Sequence, residues 1–136
     1  MDILKKIKEL YYDWNINLSH EWDHLEICIR LIKVCNEKCV FCSTDLDNKY
    51  IDFEELKLII IFFIKAYSNK YKLSFVFSWG EPTLYPQLFE ISSFVINKGF
   101  SLEIQTNAVR FSNPDFLNKF LELQWKMSFF ISLHWH

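Results

Sequence analysis

The chain has 136 residues, enough for one domain with its own core, and 51% apolar with 18% aromatic content excludes a disordered polymer. A net charge of −2 with scattered Lys and Arg leaves no electrostatic footprint for nucleic acid, and the longest apolar run, residues 58–64, falls far short of the roughly 18–20 residues that span a bilayer, so no nucleic acid and no membrane is expected as partner. Met1-Asp2-Ile3-Leu4-Lys5-Lys6 has no apolar stretch followed by a small-residue cleavage site, and the expected compartment is cytoplasmic.

In chain order, residues 2–13 have the spacing of a short amphipathic helix and residues 14–23 read as a connector. Residues 1–23 thus lead into one domain over 24–136. Residues 25–34 read as a strand, and Asp52 with Glu55 three positions later is a capping box opening a helix to about residue 68. Residues 73–79 form the second strand. Pro86 at a first helical position and Gly99 just past the end bracket a second helix. Residues 102–106 are the third strand, Asn113 and Pro114 open a third helix to about residue 123, and residues 127–135 are a fourth strand. Such alternation implies about four parallel strands joined by right-handed crossovers.

Each strand carries polar groups on one face. Glu26, Cys28 and Arg30 alternate with Ile27, Ile29 and Leu31, while Ser74 and Ser78 are set against Phe75, Phe77 and Trp79. Glu103, Gln105 and Asn107 alternate with Leu102, Ile104 and Thr106, and Ser132 and His134 with Ile131, Leu133 and Trp135. A sheet that packs helices on its apolar side and lines a polar cavity on the other predicts an α/β fold of the partial (β/α) barrel kind, with the helices on the outer face. An open doubly wound sheet is the alternative.

Four cysteines in a reducing compartment, three of them within eight residues, read as metal ligands and not as a disulfide framework. Cys35, Cys39 and Cys42 follow the first strand, at the carboxyl end where barrel active sites assemble. Three thiolates around a cuboidal iron–sulfur cluster leave one iron open, whereas four would complete it for electron transfer. The alternative is zinc, with His20 or His24 as fourth ligand. Cys28 stands apart and reads as a small buried side chain.

In this cysteine spacing the sequence resembles the radical S-adenosylmethionine (SAM) superfamily, whose signature is CxxxCxxC with an aromatic residue before the last cysteine, here Phe41. Trp79-Gly80-Glu81-Pro82-Thr83 is similar to the family's Gly-Gly-Glu motif, with Trp79 in place of the first glycine. Gln105-Thr106-Asn107-Ala108 is similar to its Thr-Asn-Gly, with Ala108 in place of the glycine. The resemblance covers roughly residues 25–136.

It implies a partial barrel of the radical SAM type and a [4Fe–4S] cluster on Cys35, Cys39 and Cys42, with S-adenosyl-L-methionine chelating the remaining iron. It also implies cofactor contacts from Phe41 beside the adenine, from the turn of Gly80, Glu81 and Pro82, with the Glu81 carboxylate accepting from the SAM ammonium, and from Asn107 and Ser132 near ribose or carboxylate. The implied activity is reductive cleavage of SAM to a 5′-deoxyadenosyl radical that abstracts hydrogen from a peptide or small-molecule substrate. A one-electron donor such as flavodoxin or ferredoxin is implied with it.

His134 and His136, at the end of the fourth strand, read as cavity-lining residues or proton carriers. The family's core has six βα units and this sequence reaches the fourth strand, so a further chain or segment supplying a C-terminal half is expected. Phe129, Ile131, Leu133 and Trp135 are accordingly expected to lack a covering helix. A fragment that binds a cluster or zinc without catalysis is the alternative function.

Overall fold

The computed structural model describes residues 2–13, 15–33, 50–78, 80–123 and 126–132. Cys35, Cys39, Phe41, Cys42, Trp79, His134 and His136 lie outside the described residues, as do Leu133 and Trp135. The described elements are helix α1 (Ile3–Tyr12), strands β1 (Ile16–Glu21) and β2 (His24–Ile29), helix α2 (Phe53–Tyr67), strand β3 (Lys72–Phe77), helix α3 (Leu88–Asn97), strand β4 (Ser101–Thr106), helix α4 (Pro114–Leu121) and strand β5 (Met127–Ile131), with short 3₁₀ turns at Pro82–Leu84 and Val109–Ser112. The strands form one open sheet in the order β1-β2-β3-β4-β5.

Strands β2 to β5 pair in parallel, as the βα alternation predicts. The connector at residues 14–23 is a correction: it contains β1, antiparallel to β2 with Ile16 opposite Ile29 and Glu21 opposite His24. Its sequence hides it, because only Ile16 of β1 is buried and the hairpin turn has no glycine. Trp22 takes the positive φ of that turn, 54°, and is 87% exposed.

The helix termini follow local chemistry. The Asp52 side chain accepts from Glu54 N and Glu55 N at 3.1 and 3.2 Å, capping α2, while the Glu55 carboxylate lies 3.4 Å from Lys6 Nζ of α1. Pro86 does not open α3 as expected. It sits in a turn two residues earlier, and Pro82 opens the preceding 3₁₀ turn instead. Gly99 does close α3: at φ 92° its N–H reaches Ile96 O at 2.9 Å and Phe100 N reaches Val95 O at 3.4 Å, the paired bonds of a Schellman stop. Asn113 caps α4 through Oδ1, with Pro114 as first helical residue.

The core lies on the outer side of the sheet. Ile27, Ile29, Phe75, Phe77, Leu102 and Ile104 pack against Leu56, Ile59, Ile60 and Phe63 of α2, Leu88, Ile91 and Val95 of α3, and Phe120 of α4. Phe129 departs from its expected exposure, because its ring meets Phe111 at 4.9 Å and Phe120 at 6.3 Å; Ile131 is 51% exposed. The opposite face is polar except at Val76, which is buried, and Phe130, which is exposed. No described helix is long and apolar enough to cross a membrane.

Candidate functional site

The carboxyl ends of the parallel strands gather the chemistry that the sequence singles out. Beyond β2, Arg30 is buried, its N–H donating to Asn15 O at 2.7 Å while Asn15 Nδ2 donates to Arg30 O at 3.3 Å. Ile32 then pairs with Tyr50 in an antiparallel bridge, and Ile51 N donates to Leu31 O at 3.0 Å. Ile32 and Tyr50, the described residues on either side of the segment carrying Cys35, Cys39 and Cys42, therefore meet beyond the carboxyl end of β2.

Beyond β3 the chain turns at Gly80 with φ 59°, a left-handed conformation that costs glycine little. Glu81 follows, 1% exposed. Its Oε1 accepts from Thr83 N at 3.2 Å, Thr83 Oγ1 at 2.7 Å and Thr106 Oγ1 at 2.5 Å, and its Oε2 accepts from Asn107 N at 2.8 Å. Pro82 is buried in the same turn. Tyr85, at the end of the turn, donates its hydroxyl to Ile51 O at 2.8 Å, and burial together with nearby Asp52 raises its phenol above the usual range.

Beyond β4, Asn107 Oδ1 accepts from Val109 N at 3.1 Å, and Ala108 takes φ 63° with its N–H on Thr106 Oγ1 at 3.0 Å. Arg110 Nη1 donates to Thr83 O at 2.7 Å, and its guanidinium lies 4.5 Å from the Phe116 ring centroid. Beyond β5, Ser132 N donates to Thr106 O at 2.9 Å, continuing the parallel pairing. Gly80, Glu81, Pro82, Asn107 and Ser132 thus converge on one end of the sheet.

His20 and His24 do not. Both stand at the hairpin end of the β1–β2 pair, the amino end of β2, and the six residues of β2 put about 16 Å of strand between His24 and Ile29. His20 Nε2 meets Trp22 O at 2.8 Å and His24 Nε2 meets Ser74 Oγ at 2.8 Å, so the geometry gives no support to a zinc site that borrows either ring. Among the described residues no cluster of His, Cys, Asp and Glu could hold a metal ion. Cys28 is half-buried on the polar face, not enclosed in the core, with Sγ 3.2 Å from Ser78 Oγ. Burial raises its thiol above the usual range, the Ser78 hydrogen bond opposes this, and Glu26 and Glu103 add to it.

A family model described as "Radical SAM superfamily" matches residues 29–134, more than half of the chain. The chain belongs to the radical SAM superfamily. No curated protein matches it by sequence. Among solved structures it is similar to one described as "Crystal structure of BtrN in complex with AdoMet and 2-DOIA", with a TM-score of 0.66 and 18% identity over 87% of this chain and 48% of that one. The likeness is one of fold, and the chain spans about half the length of that neighbour.

In this radical SAM chain, sequence reasoning named Glu81 and Asn107 but missed the roles of Thr83, which donates to Glu81, of Arg110, which donates to Thr83 O, and of Tyr85, which ties the end of the turn to Ile51 O. One signal was available for Thr83. A carboxylate between a strand end and a proline, in a turn bound for the core, needs donors close by, and a threonine two residues later is the nearest.

Proposed function

We propose that this chain is the cluster-binding and SAM-binding part of a radical SAM enzyme that acts on a peptide or a small molecule. The observation that carries the reading is the convergence at one end of the sheet: the neck of the three-cysteine segment, the Gly80-Glu81-Pro82 turn, and Asn107 and Ser132 all lie at strand carboxyl ends. The donor set suits the groups. Three thiols within eight residues fit an iron–sulfur cluster with one iron left to a small ligand.

Cys35, Cys39 and Cys42 would hold the cluster, which supplies the electron that cleaves bound SAM reductively. The chain's own residues do the rest. The left-handed turn at Gly80 leaves main-chain polar groups open to close approach, because no β-carbon intervenes. Phe41 would offer a ring face for the adenine, and Asn107 and Ser132, at the ends of neighbouring strands, would offer polar groups for the ribose or carboxylate. The polar inner face, with Glu26, Ser74, Glu103 and Gln105, forms one wall of a substrate cavity from which water must be kept. A flavodoxin or ferredoxin supplies the electron, in keeping with a cytoplasmic setting.

Anaerobic reconstitution tests the reading. About four iron and four sulfide per chain are expected, with loss of the cluster in Cys35→Ala, Cys39→Ala and Cys42→Ala and retention in Cys28→Ala. Reduced protein given SAM should release 5′-deoxyadenosine, read by mass spectrometry. A cluster without that product would favour the non-catalytic alternative, and cluster loss in Cys28→Ala as complete as in the others would overturn the ligand assignment.

A further inference from the structure

An ionised carboxylate has about four lone-pair sites, and Glu81 already receives four hydrogen bonds from this chain: three at Oε1 and one at Oε2. At 1% exposure those donors are what make its burial tolerable. They come from two places. Thr83 belongs to the turn after β3, whereas Thr106 and Asn107 close β4, so one side chain joins strand ends 25 and 26 residues apart in sequence. Arg110 crosses the same gap in the other direction, from the turn after β4 to Thr83 O at 2.7 Å.

We propose that Glu81 is a positioning residue: its carboxylate locks the ends of β3 and β4 into one unit and acts on a ligand through the main chain of Gly80 and Asn107, not by direct contact with an ammonium group. The ligand's identity rests on the SAM reading above; the lock does not. Three consequences separate a lock from a ligand. Removing a donor should resemble removing the acceptor, restoring the donor should rescue, and the effect should be indifferent to the ligand's amino group.

Amide hydrogen exchange on the 136-residue chain without ligand reads the lock directly. Slow exchange is expected at Thr83 and Asn107 in the wild type, faster by at least roughly tenfold at one or both in Glu81→Gln, whose amide keeps a single acceptor oxygen, and at Asn107 in Thr106→Val, and restored in Thr106→Ser, which keeps the hydroxyl. Equilibrium dialysis of the reconstituted protein then compares SAM with an analogue lacking the α-amino group. Glu81→Gln should weaken both by the same factor, and Thr106→Val should weaken SAM as well. The proposal is overturned if both amides stay protected in Glu81→Gln, or if Glu81→Gln weakens SAM alone while Thr106→Val binds it normally. Should the wild type bind no SAM, the functional reading falls and the exchange data still decide the lock.

Discussion

A left-handed backbone at a residue with a β-carbon costs about 1–2 kcal/mol, and Ala108 bears that cost at φ 63° where the radical SAM pattern has glycine. Part of the relief offered by glycine is lost to its freer unfolded chain, which leaves Ala108→Gly more stable by about 0.5–1 kcal/mol. A thermal melt should show a rise of about 2–5 °C, and a fall would mean that this turn is not left-handed in solution. Cys28 makes a second residue-level prediction. Its thiol is raised mainly by burial, so the neutral form is favoured in the fold; that stability is complete at neutral pH and is lost as pH climbs through the folded value. In a chain with Cys35, Cys39 and Cys42 replaced by Ser, Cys28 is the only thiol, and iodoacetamide at pH 8 should modify it several-fold more slowly than an exposed cysteine. Equal rates would contradict the burial. At this scale the sequence marks which residues stand at strand ends, because strand periodicity and turn residues are local signals. It does not mark the Glu81–Thr106 bond, whose partners meet only once β3 and β4 are in register.

Elements were legible where apolar periodicity was strong. α2, β3, β4 and α4 lie within a few residues of their expected spans, since each carries either a capped amphipathic run or an alternating pattern. β1 was not legible, because an edge strand that buries one side chain has almost no pattern to read. That strand yields a paired test. Ile16 is fully buried in the core, and Ile16→Ala should cost about 2–4 kcal/mol by the usual penalty for a core cavity. Leu18, two residues on and 43% exposed, should cost under about 1 kcal/mol when replaced by Ala. Urea unfolding midpoints give both numbers. If the two substitutions cost the same, β1 is no part of the folded sheet and residues 14–23 are a connector after all.

The molecule as a whole is an open sheet with two unlike edges. β1 presents Ser19, His20 and Glu21, all exposed and polar, and such a border discourages strand addition. β5 presents Phe130 at 56% and Ile131 at 51% exposure beside backbone that, among the described strands, has a neighbour on one side only. Together these two side chains expose about 200 Å² of apolar surface, about 5 kcal/mol of association free energy at 25 cal/mol per Å² if fully covered. The sequence-derived expectation of a bare fourth strand therefore holds only in part. Phe129 is sheltered by Phe111 and Phe120, because the aromatic cluster of α4 and the preceding turn reaches under β5. Among the described residues, what stays open is the outer edge of β5 and the face bearing Phe130. The 136-residue chain by itself should self-associate at roughly hundreds of micromolar, and Phe130→Lys should shift it toward monomer by placing a charge on the exposed strand. Phe129→Lys should instead lower the melting temperature, since its ring belongs to the packed cluster. Analytical ultracentrifugation of the wild type and Phe130→Lys, with a thermal melt of Phe129→Lys, separates these effects: a wild type that stays monomeric across that range, or a Phe130→Lys variant that associates as strongly, would show that β5 is not an adhesive edge.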